Sequence, residues 1–151
     1  MKISKELEKP AIFHCRNGKN PKIDNAYQDL FEILVKEWEY NSNTNKRGIL
    51  HSFSGSIGDA KKAIELNLYL GINGTFTYPK NKELREIVKI VGINNIVIET
   101  DCPYLPPQSM RGKRNTPLSV IEILNEVAAF LGVKFSEFQE RIFLNSTSFI
   151  E

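Results

Sequence analysis

Histidine, cysteine and net charge are all scarce in this chain. Among 151 residues there are two histidines and two cysteines, and the net charge is only +2. The cysteines, Cys15 and Cys102, are too few for a disulfide scaffold, which points to a reducing compartment. So small a net charge excludes a globally basic nucleic-acid binder, and only local clusters can argue for such a partner. No apolar run approaches the ~20 residues that a membrane span needs. The start, from Met1 to Pro10, carries charges where a secretory signal would carry an apolar core. These absences predict a cytoplasmic or otherwise intracellular protein with no membrane partner. Low-complexity segments and internal repeats are absent as well.

What is present is an ordinary globular composition, 41% apolar and 25% charged, in a chain long enough for one domain with a real core. Strand and helix signals alternate along it. Short apolar runs at 11–14, 48–52, 68–72 and 95–101 read as strands. Between them lie helical periodicities. Tyr27, Leu30, Phe31, Leu34, Val35 and Trp38 mark a helix from about Asp24 to Tyr40, followed by a polar loop over 41–46. Ala60, Ala63, Ile64 and Leu66 mark one over 57–67. Leu84, Ile87, Val88 and Val91 mark another from Asn81. After the fourth strand comes a proline-rich loop. Thr116 as N-cap with Pro117 at the first helical position predicts a strong helix ending at Gly132. Its expected buried stripe is Val120, Ile121, Leu124, Val127, Ala128 and Leu131. Ser136 and Gln139 form a capping-box pattern for a last helix to about Leu144. Four βα units in sequence predict a parallel α/β fold.

Parallel strands direct their carboxyl ends to one side, where ligands gather. His14, His51 and Asp101 each end an apolar run, so the three are expected at one mouth. Imidazole nitrogen and carboxylate oxygen suit Zn²⁺, Mn²⁺, Fe or Ni²⁺. A carboxylate at the end of a buried strand is costly unless it is paired or metal-bound, which makes Asp101 the strongest candidate. Glu99 shares its strand face; it reads either as a support behind the metal ligands or, the favoured role, as a structural acid paired with a basic side chain inside the barrel. Arg16 and the cationic loop Arg111-Gly112-Lys113-Arg114-Asn115 suit an anionic substrate. The turn Ser52-Phe53-Ser54-Gly55 offers backbone N–H groups to phosphate. Cys15 and Cys102 read as small packing residues, and Tyr78, Pro79 and Tyr104 as wall residues of the mouth.

The segments KPAIFHCRNG, GILHSFSGSIGDAKKAIELNLYLGINGTFTYPKNKELREIV, NIVIETDCPYLPP and RGKRNTP resemble the TatD-type metal-dependent deoxyribonucleases, of the amidohydrolase-like TIM-barrel class. The resemblance covers nearly the whole chain. It implies a (β/α)8 barrel with two divalent ions of the Mg, Mn or Zn class that hydrolyses phosphodiester bonds in DNA, or RNA. By resemblance His14 and His51 ligate one metal. Asp101 ligates the other and assists the attacking water. Arg16, Arg111, Lys113, Arg114 and Asn115 hold the nucleic-acid backbone.

The family's H-x-H pair and its metal-bridging Glu have no counterpart in the sequence. The chain therefore aligns with the second half of the family pattern: a single partial-barrel domain over 1–151, about four βα units corresponding to strands five to eight, with the N-terminal half missing. Three ligands divided between two ions imply low metal affinity and low activity for the chain alone. Unpaired sheet edges imply a complementary N-terminal half as partner, or self-association to close the barrel. Two other readings are a non-catalytic homologue that binds nucleic acid or a protein partner, and a metal hydrolase of other small esters.

Overall fold

A computed structural model describes residues 2–7, 9–20, 25–38 and 46–150. The elements run α1 (Lys2–Glu6), β1 (Ala11–His14), α2 (Ala26–Glu37), β2 (Gly48–His51), α3 (Ile57–Glu65), β3 (Leu68–Ile72), α4 (Lys82–Val91), β4 (Ile96–Ile98), α5 (Ser119–Leu131) and α6 (Phe135–Ile150). The four strands form one parallel sheet in the order β1-β2-β3-β4. This is the expected α/β architecture. The expected helix ends at Asp24 and Tyr40, and the loop over 41–45, fall outside the described residues.

Strand period 2 divides the sheet into two faces. Phe13, Leu50, Leu68, Leu70, Ile72 and Ile96 pack on the helices in the main core, with Tyr27, Leu34 and Trp38 from α2 and its C-cap, and Ile123 and Val127 from α5. Phe13 meets Trp38 edge to face at 5.1 Å between ring centroids, a favoured aromatic geometry. The opposite face carries a smaller cluster, Ile49, Tyr69 and Val97, covered by Phe149 at the end of α6. There the Tyr69 hydroxyl lies 3.1 Å from Ser148 Oγ. Because both faces are covered around it, β3 is buried along its whole length, as its uninterrupted apolar run requires. Ile12 on β1, at the sheet edge, is 66% exposed.

Several helix expectations shift. Thr116 and Pro117 do not open α5. They form a turn, with Ser119 N–H donating to the Thr116 carbonyl, and the helix starts at Ser119. Asn115 is the cause. Its side chain is buried in the preceding loop and its Oδ1 accepts from Thr116 N–H, which fixes that residue in the turn. With the start displaced, α5 buries Ile123, Val127 and Ala128, while Ile121 is exposed. Gly132 does terminate it, at φ +66°, where a side chain would be strained. Helix α6 begins at Phe135, so Ser136 lies inside its first turn and is no N-cap; the helix also runs beyond Leu144 to Ile150. There Asn145 is buried and donates to the carbonyls of Ile93 and Ile96, clamping the helix to the start of β4.

Candidate functional site

His14 and His51 are register partners at the carboxyl ends of β1 and β2, with ring centroids 5.9 Å apart. Strand β4 is shorter than its apolar run suggests and ends at Ile98. The ladder continues one step, as Glu99 N–H donates to the Ile72 carbonyl. Glu99 and Asp101 then project toward β2. The structure thus brings His14, His51 and Asp101 to one end of the sheet, as expected.

Glu99 is the residue whose role the sequence reading understated. Its basic partner is His51, itself a candidate metal ligand. Glu99 Oε1 lies 2.9 Å from His51 Nδ1 and also accepts from Ser52 N–H at 2.5 Å. A carboxylate on Nδ1 fixes the proton there and turns Nε2 outward, which is how a metal-binding imidazole is oriented. Nε2 then faces Asp101 Oδ1 at 3.3 Å. Two electron-rich atoms this close need a positive centre between them, either a proton or a cation. Burial of the ring opposes its protonation, but the carboxylates of Glu99 and Asp101 outweigh burial and hold the His51 pKa above its ordinary value. Burial also raises the Glu99 carboxyl, against the pull of His51 and the Ser52 N–H. Two donors each ~2.1 Å from one ion are separated by about 3.0–3.4 Å, so the 3.3 Å gap fits a metal as well as a proton. The donors fit in kind but fall short in number. Among the described residues no three His, Cys, Asp or Glu side chains form a metal-binding group.

Two glycines shape this end of the sheet. A Cβ on Gly71, in the middle of the buried β3, would lie 2.6 Å from the Glu99 carboxylate carbon. Gly71 therefore opens the space in which Glu99 reaches His51. Glycine inside a strand pattern was the signal for such a close approach. A Cβ on Gly74 would press on the backbone of Leu105 and Pro107, so this glycine lets the loop after β4 lie against the 3₁₀ turn Gly74–Thr77. That packing is tied by Gln108 N–H donating to Thr77 Oγ1 at 2.7 Å. Asn73 was not singled out in the sequence either. It is buried, and it donates to Ser52 Oγ at 2.7 Å while accepting from Thr75. It thereby supports Ser52 at φ +50°, a strained backbone for a non-glycine residue directly after His51.

A cavity of about 830 Å³ opens at this end, lined by His14, Arg16, Ser52, Tyr78, Asp101 and Arg111 among others. The cationic loop is divided by the structure. Arg111 lines the cavity, whereas Lys113 and Arg114 are exposed and stand outside its lining. Asn115 is not brought to it at all: its amide donates to the Tyr104 carbonyl at 2.7 Å inside its own loop. The Ser52–Gly55 turn lines the cavity but does not offer its N–H groups as expected. Those of Ser52, Phe53 and Ser54 donate to Glu99, the Gly71 carbonyl and the Tyr27 hydroxyl. Tyr78 and Pro79 are wall residues, while Tyr104 points to solvent.

The cysteines separate in the same way. Cys15 packs in the core as expected, but Cys102 is exposed. Burial, with Asp59 and Asp29 adding to it, pushes the Cys15 thiol up to about 11. At pH 8 about a thousandth of it is thiolate. A chromogenic disulfide reagent should therefore titrate one thiol quickly in the native chain and the second only in denaturant. Two equivalents released at one native rate would contradict the burial of Cys15.

The model of the family TatD related DNase matches residues 1–151. The chain is 33% identical over 135 residues to the uncharacterized metal-dependent hydrolase YabD of Bacillus subtilis (strain 168), covering 89% of this chain and 48% of that protein. It is 28% identical over 176 residues to deoxyribonuclease Tat-D of Schizosaccharomyces pombe, covering 99% of this chain and 52% of that one. The crystal structure of YjjV, a TatD homologue from Escherichia coli K12, superposes with a TM-score of 0.84 at 22% identity, over 98% of this chain and 52% of that chain. The chain thus spans about half the length of these relatives. No helix among the described residues is long and apolar enough to cross a membrane. Sequence motifs, sheet order and the family match agree, and the chain belongs to the TatD-related DNase family.

Proposed function

We propose that this chain carries strand-end ligands of a divalent-metal-dependent phosphodiesterase acting on DNA, and that it does so as the strands-five-to-eight half of an eight-stranded barrel. The observation that carries the reading is the 3.3 Å approach of His51 Nε2 to Asp101 Oδ1, with Glu99 holding the far side of the ring. A divalent ion bound there supplies Lewis-acid activation of water and offsets charge on the phosphate. By resemblance His14 and His51 are the residues that would hold one ion, and Asp101 would hold a second beside it. Asp101 orients the attacking water and accepts its proton. Glu99 keeps the His51 lone pair directed toward Asp101. Arg16 and Arg111, both lining that cavity, donate to phosphate oxygens. Lys113 and Arg114 add a diffuse positive field around it.

The half-barrel reading rests on the sheet. β1 and β4 are its edges among the described residues, and Ile12 is exposed on β1. An open parallel edge beside an exposed apolar side chain calls for further strands. We propose that a complementary half, carrying the H-x-H pair and a strand-end Glu, supplies both the strands and the remaining ligands. Self-association is the other way to cover the same edges.

The test is cleavage of an end-labelled oligonucleotide. The chain alone should cleave near background. Addition of a complementary half with Mg²⁺ or Mn²⁺ should raise cleavage at least a hundredfold, in line with the share that positioned acid–base and metal groups contribute, and chelator should abolish it. Cleavage that survives chelation would sink the proposal. So would a chain that binds DNA yet takes up no metal even with its complement, which is the behaviour of the non-catalytic homologue.

A further inference from the structure

Tyr78 and Arg111 come from two different loops and meet at the cavity wall. The Arg111 guanidinium carbon lies 4.6 Å from the centre of the Tyr78 ring, a close cation–π approach. The ring is itself held in place, since the Tyr78 hydroxyl donates to the Pro106 carbonyl at 2.8 Å. Among the described residues no carboxylate forms an ion pair with Arg111. Its anchor is therefore an aromatic face, which leaves the N–H edges free. Arg111 is otherwise exposed and lines the same cavity as His51's partner Asp101.

We propose that Tyr78 and Arg111 form a stacking platform for an unpaired nucleobase, beside the phosphodiester held at His51 and Asp101. The proposal rests on the phosphodiesterase reading and adds a base-contacting subsite to it. A guanidinium plane backed by a tyrosine ring presents its second face to a flat π system, and nucleobases stack on such planes. Its N–H edges can still donate to the adjacent phosphate. Lys113 and Arg114 lie outside the cavity lining and offer charge without a backed plane. Arg111 sets base recognition through its plane, and Tyr78 is the positioning residue that fixes that plane.

The experiment is fluorescence anisotropy on the 151-residue chain at low salt, with no metal added. The two probes are a labelled thymidine hexanucleotide and an abasic hexamer with the same number of phosphates. The base-bearing probe should bind about tenfold more tightly. Tyr78→Leu and Arg111→Lys should each bring the two probes to within about twofold, because one removes the ring and the other keeps the charge but loses the plane. Tyr78→Phe, which keeps the ring and loses only the Pro106 hydrogen bond, should retain most of the preference. Lys113→Ala should weaken both probes alike. Arg111 is exposed, so Arg111→Lys remains a fair test even if Tyr78→Leu unfolds. Equal binding of the two probes by the wild-type chain would overturn the platform and leave the phosphate reading standing. A uniform loss for both probes in Tyr78→Leu and Arg111→Lys would also overturn it. Failure to bind either probe would sink the platform together with the phosphodiesterase reading.

Discussion

Gly71→Ala lowers the unfolding free energy of the chain by about 1–3 kcal/mol, the usual range for overpacking a tight interior. The added methyl would meet the Glu99 carboxylate, with its carbon and both oxygens 2.6–2.7 Å away. A free glutamate would swing aside at little cost. This one is held by His51 Nδ1 and Ser52 N–H on the same oxygen, so moving it leaves half-buried donors without acceptors. The second consequence is functional. With Glu99 displaced, His51 loses its orienting carboxylate, and metal affinity in the completed barrel should fall about 10–100-fold. Gly58→Ala is the matched control. Gly58 lies in α3, and a Cβ there meets only Ser56 Oγ at 3.5 Å. Removing a helical glycine should stabilise the chain by about 0.5–1 kcal/mol. Urea unfolding of both variants reads the two signs. A neutral Gly71→Ala would mean that the close approach of β3 to Glu99 is wrong.

The contrast between these two glycines shows what could be read from the sequence. Strands 11–14 and 68–72 were legible to the residue because each is a short apolar run with sharp ends, although β3 is buried on both faces and β1 is only half-buried on one. The shared direction of parallel strands then put His14, His51 and Asp101 at one end of the sheet. Contacts made between loops left no such trace. Thr116 and Pro117 carry a strong helix-start signal, yet Asn115 holds that stretch in a turn. Arg111 and Asn115 belong to one charged pentapeptide, and only the fold decides that one lines the cavity and the other bonds its own loop. Glu99 is the instructive case. Its face was legible from strand period, but its partner was not, because His51 lies two strands away across Gly71.

Asp101→Asn should reduce kcat of the barrel-completed chain by about 10²–10⁴, the contribution of a positioned acid–base group. Oligonucleotide binding should change by less than about twofold, since phosphate affinity comes from the arginines. The substitution is nearly isosteric. It removes the negative charge from one of the two atoms that meet at 3.3 Å and leaves the Glu99–His51 bond in place. The same change has a reading that needs neither metal nor substrate. In the metal-free chain the Asp101 carboxylate helps to raise the His51 pKa above 6.5. Asp101→Asn should therefore lower the pH at which the His51 ring titrates by NMR. Glu99→Gln separates charge from hydrogen bonding. Both donors address Glu99 Oε1, and a glutamine carbonyl can accept both, so the fold should persist while the His51 pKa falls and metal affinity weakens. If Asp101→Asn left both the titration of His51 and the turnover unchanged, the carboxylate at the end of β4 would face solvent and the site would lie elsewhere. If the titration moved and turnover did not, His51 and Asp101 would be an ion pair of the fold, and the water-positioning role would fall to the complementary half.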